Sequence, residues 1–342
     1  MPEVTGWEGF FAPADALDPA WRAARSISID APLEAIHGRT VKIVLADGVG
    51  RGSAADLARL EELTCADPAT RAWNEDRCSG LAARTCEADG CSYEHLGNCS
   101  GFLIDDRRVL TAAHCVAALI DDDQLRKRSA ILVEREGGQI LRLSLGRIQV
   151  GKRDFSHDWV VVEERDALDV AAIEVSDTRL SSLPPWPVAP VPARGDLVFI
   201  HGFPRVEGRS QADLARGGYS RAAGTPRFSF GRVADENEAG LPLCSPDGMQ
   251  EHWRLMRNCT VGPVTLGGER TWMGPITSRP FLGTWDTCNG YSGGPVFDSS
   301  GRLVGINATL ISSNSPQERW SPEMRQVATP AVLAVERLAA DR

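Results

Sequence analysis

The sequence predicts an all-β protein of antiparallel strands in two groups, with a helix at its C-terminal end. Three observations carry that expectation. Aliphatic and β-branched runs recur between polar turns, AILVERE at 130–136, QILRLSLGRIQV at 139–150, WVVVEE at 159–164 and DVAAIEV at 169–175, at the spacing of short antiparallel strands. Ser181–Asp196 then places prolines at 184, 185, 187, 190 and 192. Lacking N–H donors and with φ fixed, such a stretch cannot join a central strand and reads as a linker between the groups. Finally, Pro330 precedes AVLAVERLAADR, which is apolar on one helical face and follows a residue suited to a first helical position.

Taken in order, residues 1–38 mix Pro, Ala and Trp without a clear period and read as an N-terminal extension. They lack the basic start and continuous apolar core of a signal peptide. Arg39–Ala46 (RTVKIVLA) is a first strand, and Ser53–Leu63 a helix with Ser53 as cap and Leu57, Leu60 and Leu63 at helical spacing. Cys65, Cys78, Cys86, Cys91 and Cys99 crowd the next stretch. Two chemistries are open to them: disulfides in an exported protein, or Zn²⁺ held by Cys86, Cys91, His95 and Cys99, whose spacings fit common finger patterns poorly. Gly101–Cys115 (GFLIDDRRVLTAAHC) reads as two apolar strands around an acidic-basic turn, the second ending at His114. Beyond the linker, Leu197–Pro204 (LVFIHGFP) is a strand, with His201 read as structural. Residues 205–284 are long and polar, with a strand-like RFSFGRV at 227–233 and two cysteines, Cys244 and Cys259. Val296–Leu310 (VFDSSGRLVGINATL) reads as strand, Ser-Gly turn and strand.

With 342 residues and 42% hydrophobic content, the chain can bury one large core or two small ones. A formal charge of −9 argues against nucleic-acid binding, which calls for a basic patch. No apolar run approaches the roughly 20 residues of a membrane-spanning helix.

The chemistry is concentrated in Trp285–Phe297, WDTCNGYSGGPVF. A serine hydroxyl attacks only when a base takes its proton and N–H donors hold the oxyanion that forms. Glycines around Ser292 let the backbone turn so that the Gly290 and Ser292 amides point to one place. Gly290-Tyr291-Ser292-Gly293-Gly294 also fits the nucleophile elbow of α/β-hydrolases, where the histidine follows the serine. The histidines here are 37, 95, 114, 157, 201 and 252, all upstream. That order excludes the elbow.

TAAHC at 111–115 followed much later by GYSGGP at 290–295 resembles the chymotrypsin-like (trypsin-like) serine peptidases. The resemblance implies two antiparallel six-stranded β-barrels packed face to face: a first barrel at about 39–180, the linker at 181–196, a second barrel at about 197–329 and a C-terminal helix at 330–342. It implies His114 as general base, Ser292 as nucleophile and Asp169 as the orienting acid. Asp169 opens DVAAI and matches the family pattern better than Asp158, which also precedes an apolar run. It further implies an oxyanion hole of the Gly290 and Ser292 amides, a disulfide between Cys99 and Cys115, and acyl-enzyme cleavage of protein or peptide substrates that needs no cofactor or metal. The substrate pocket would take in Asp286, Thr287, Asn307 and Leu310. Asp286 at the pocket floor implies a weak preference for Arg or Lys. An animal-type activation switch needs an aspartate where this chain has Tyr291, so the oxyanion loop is expected to form without it, as in bacterial members and the glutamyl endopeptidases. Cys288 has no downstream partner and nine cysteines leave one over. Cysteine usage points to an extracytoplasmic location. A non-catalytic binder on this scaffold and an esterase remain as alternatives.

Overall fold

The computed structural model describes residues 11–66, 68–75, 78, 85–87, 90–120, 122–150, 168–180, 183–204, 225–234, 263–266, 269–272, 281–285, 290–311 and 325–340. The N-terminal half carries strands β1 (Thr40–Gly52), β2 (Thr85–Glu87), β3 (Gly90–Leu103), β4 (Arg108–Thr111), β5 (Ala130–Arg135), β6 (Gln139–Leu143), β7 (Ile148–Val150) and β8 (Ala171–Glu174). β1 and β3 form a long antiparallel ribbon from Thr40 opposite Phe102 to Gly52 opposite Cys91. Period-two burial places Val41, Ile43, Val109, Ile131, Val133 and Ile173 in one core.

These strands make an eight-stranded sheet of order β6-β5-β1-β3-β4-β8-β7, with β2 paired to β3. Among the described residues the first sheet is therefore open, and the expected first closed barrel is not found. The reason lies in the link between the edge strands. Ser144–Arg147 turns onto the end of β8, with Gly146 N–H donating to Glu174 O and Glu174 N–H to Arg147 O. β7 thus pairs with β8, no described strand joins β7 to β6, and the apolar run at 139–150 splits into two strands. The expected strand at 159–164 lies outside the described residues.

In the C-terminal half, β9 (Leu197–Gly202), β10 (Arg227–Ala234), β13 (Phe281–Gly283), β14 (Pro295–Asp298), β15 (Leu303–Ile311) and β16 (Arg325–Pro330) close a six-stranded barrel, while β11 (Pro263–Leu266) and β12 (Glu269–Trp272) form a separate hairpin. Phe199, Phe228, Phe230 and Phe297 fill a core shared with Ala331, Ala334 and Leu338 of the C-terminal helix Ala331–Ala340.

The proline-rich stretch is pinned between the halves. Trp186 N–H donates to Ile104 O, its indole Nε1 to Gly301 O, and Ala189 N–H to Leu303 O. Residues 11–38 form three five-residue helices, Pro13–Leu17, Pro19–Ala23 and Leu33–His37. Phe11 pairs with Phe228 through two backbone bonds of 2.9 and 2.8 Å, and Leu33 and Ile36 are buried against the second half's aromatic core. Three cysteine pairs are bonded: Cys65–Cys78, Cys86–Cys91 and Cys99–Cys115. The quartet weighed for zinc is thereby divided between two disulfides. Cys244, Cys259 and Cys288 lie outside the described residues. Among the described residues, no helix is long and apolar enough to cross a membrane.

Candidate active site

Strand register brings the histidine and its acid together. β4 runs antiparallel to β8 with Thr111 opposite Ala171, so the chain leaving β4 and the chain entering β8 lie side by side. His114 is three residues beyond Thr111 and Asp169 two before Ala171. The sequence reads TAAHC as the end of a strand; His114 instead sits in the first turn of the helix Ala113–Ile120, where consecutive alanines favour helix over extension.

Asp169 is 1% exposed and holds His114 twice. Its Oδ1 accepts the backbone N–H at 3.0 Å and its Oδ2 faces the ring Nδ1 at 2.7 Å. Two bonds to one residue fix the ring and favour the tautomer with Nδ1 protonated, which leaves the lone pair on Nε2. Burial is the largest single influence on His114 and lowers its pKa. The charge of Asp169 and its hydrogen bond both act the other way, and together they raise it above the usual imidazole value.

Ser292 lies in the loop that enters β14. Gly290 and Gly293 have φ of 99° and 80°, a region open to glycine and strained for other residues. A side chain at Gly293 would also meet Thr111 Oγ1 at 2.1 Å and Ser100 O at 2.3 Å, so the loop rests directly on β3 and β4. Gly293 N–H donates to Asn307 O and Gly294 N–H to Tyr291 O. Among the described residues, the N–H groups of Gly290 and Ser292 donate to nothing. Ser292 O accepts from Ser100 N–H at 2.8 Å, and Ser292 Oγ is 3.5 Å from Ala308 O.

The Cys99–Cys115 bond sits between these parts. Cys115 Sγ lies 3.8 Å from His114 Nε2 and 3.6 Å from Ser292 O. Cys99, His114 and Cys115 are close enough together to suggest a metal site, but both sulfurs are spent on each other.

Tyr291 is fully buried and its hydroxyl donates to Arg227 O at 3.0 Å. Asn307 is 2% exposed; its Oδ1 accepts from Trp285 Nε1 at 3.2 Å and its Nδ2 donates to Tyr291 O at 3.3 Å. Leu310 stands on β15 opposite Gln326. Its side chain, Asp286 and Thr287, like Asp158, lie outside the described residues. Sequence reasoning missed Ser100, a buried serine between Cys99 and Gly101 that contacts the nucleophile loop from the other half. A polar residue inside an otherwise buried strand end was the available signal.

The fold is trypsin-like, mostly β with a C-terminal helix. The chain belongs to the trypsin-like peptidase family: the trypsin-like peptidase domain matches residues 99–306, more than half of the 342. Among solved structures, an inactive-form mutant of Rv3671c from M. tuberculosis H37Rv is 17% identical, with 94% of this chain and 93% of that one covered at a TM-score of 0.41. Deg5 is 13% identical, with 94% of each chain covered and a TM-score of 0.43. Mouse neuropsin, a serine protease, is 18% identical, with 72% and 88% covered and a TM-score of 0.42. No curated protein sequence matches the chain.

Proposed function

We propose that the protein is a serine endopeptidase. The observation that carries this reading is the imidazole of His114, held at two points by a buried Asp169 beside a glycine loop bearing Ser292. Ser292 Oγ attacks the scissile carbonyl while His114 Nε2 takes its proton. The N–H groups of Gly290 and Ser292, unspent among the described residues, receive the oxyanion. His114 then returns the proton to the leaving amine, and water, activated by the same imidazole, frees the acyl group. Asp169 remains ionised and stabilises the imidazolium. Partners are protein or peptide substrates, and the three bonded cysteine pairs accord with an extracytoplasmic location.

A phosphonylating serine reagent is expected to label Ser292, and Ser292→Ala or His114→Ala to lower turnover by roughly 10⁴–10⁶ in folded protein. Labelling elsewhere, or full activity in Ser292→Ala, overturns the reading. Running peptide and ester substrates side by side sets the acyl leaving group.

The weak preference for Arg or Lys rests on Asp286, six positions before Ser292, as a carboxylate that would pair with a cationic side chain. Cleavage of a mixed peptide library should show modest basic selection that disappears in Asp286→Ala. Strong selection for Glu, or basic selection unchanged in that variant, removes Asp286 from the pocket.

A further inference from the structure

We propose that Ser100 is a positioning residue that sets the oxyanion loop, an inference that rests on the serine-peptidase reading. Ser100 lies on β3 in the N-terminal half and is fully buried, yet four hydrogen bonds converge on it, three of them from the other half. Its Oγ accepts from Phe203 N–H at 2.8 Å and donates to Gly290 O at 2.7 Å. Its N–H donates to Ser292 O at 2.8 Å, and its own carbonyl accepts from Thr111 Oγ1 at 2.7 Å.

The direction of the hydroxyl is fixed by this set. Phe203 N–H can only donate, so the Ser100 proton is left for Gly290 O. The consequence for the loop follows from peptide geometry, since each planar peptide couples one carbonyl to the next residue's N–H. Ser100 grips the 290–291 peptide through Gly290 O and the 292–293 peptide through Ser292 O. The plane between them carries the Ser292 N–H, and its carbonyl, Tyr291 O, is held by Gly294 N–H and Asn307 Nδ2. A peptide whose two neighbours and own carbonyl are all anchored cannot flip. Gly290, at φ 99°, is the most permissive backbone position next to that plane, and Ser100 holds its carbonyl. The hydroxyl therefore does the work that an activation ion pair cannot do here, because Tyr291 carries no carboxylate.

Such a residue acts on transition-state stabilisation more than on substrate binding. The test compares wild type, Ser100→Ala, Ser100→Thr and Gly202→Ala on a peptide substrate and on a peptide boronate, which forms a tetrahedral adduct on the nucleophile. Gly202→Ala presses on both partners at once, since a Cβ there meets Ser100 Oγ at 2.6 Å and Tyr291 Cδ1 at 2.9 Å. Folded Ser100→Ala and Gly202→Ala are expected to lose about 10- to 100-fold in kcat, below the 10²–10³ of deleting an oxyanion donor outright, with KM within about threefold. Boronate affinity should fall by the same factor as kcat, and Ser100→Thr should recover most of both. Unchanged kcat and boronate affinity in folded Ser100→Ala, or losses that track only the folded fraction, overturn the proposal. If Ser100→Ala does not fold, Ser100→Cys, which keeps a side chain of similar shape but is a weaker donor, decides by the same criteria. A wild type that neither reacts with the phosphonate nor binds the boronate overturns the peptidase reading itself, a result distinct from a reactive wild type with an indifferent Ser100.

Discussion

Asp169 and His114 show how the charge and the hydrogen bond of one carboxylate together outweigh burial. Removing the charge while keeping the shape should expose the balance. Because Asp169 supplies both influences that raise the His114 pKa and burial alone opposes them, Asp169→Asn should move the acidic limb of the pH profile of kcat/KM downward. In wild type that limb lies above the free imidazole value, since the base works only when neutral and activity rises as the proton leaves. Turnover in the variant should drop by about 10⁴ as the wrong tautomer is favoured. An unmoved limb would mean that another group faces the imidazole. The pairing of His114 with Asp169 and the glycine loop around Ser292 were legible because each residue sits in a short pattern that constrains its neighbours. Ser100 was not, because nothing in Cys-Ser-Gly says which carbonyls a strand from the other half will bring to it. Asn307 was read as part of the pocket; its amide bonds to Trp285 and Tyr291 O arise from a contact between β15 and a loop that no local pattern encodes.

At the level of elements, period and punctuation carried most of the strands. The Ser-Gly turn between β14 and β15, the helix Ala54–Cys65 and the C-terminal helix each follow from residues within reach of one another. Closure of a sheet does not. Whether β6 meets β7 depends on where four linking residues place their hydrogen bonds, and Gly146 and Arg147 place theirs on β8. The helices of residues 11–38 were hidden for another reason. Each is five residues long, too short to show a period or to persist alone, and they owe their existence to the aromatic core on which they lie.

Across the whole molecule, one part-buried chain of contacts joins three regions. Glu134 Oε2 of β5 accepts from His37 Nε2 at 3.0 Å, and His37 Nδ1 lies 3.4 Å from His201 Nε2 of β9. With its Nε2 proton committed to Glu134, His37 can only accept from His201. The Nδ1 of His201 then has no partner among the described residues. Burial first, and His37 second, hold the His201 pKa well below its ordinary value. In the unfolded chain His201 would take a proton near pH 6.5. Below that pH the unfolded state binds a proton that the folded state refuses, so stability falls as pH falls, by up to about 1.4 kcal/mol per pH unit for one group. Urea midpoints of wild type and His201→Gln between pH 7 and 5 should diverge, with the variant losing less on acidification; parallel curves would show that His201 does not contribute. The same region bears on how the two halves are tied. The halves are joined at 183–196 and again by residues 11–38, which bond to Phe228 in one half and lead directly into β1 of the other. Ser100 adds three further bonds across the halves, so the two sheets are tied together as one block around the loop that carries Ser292.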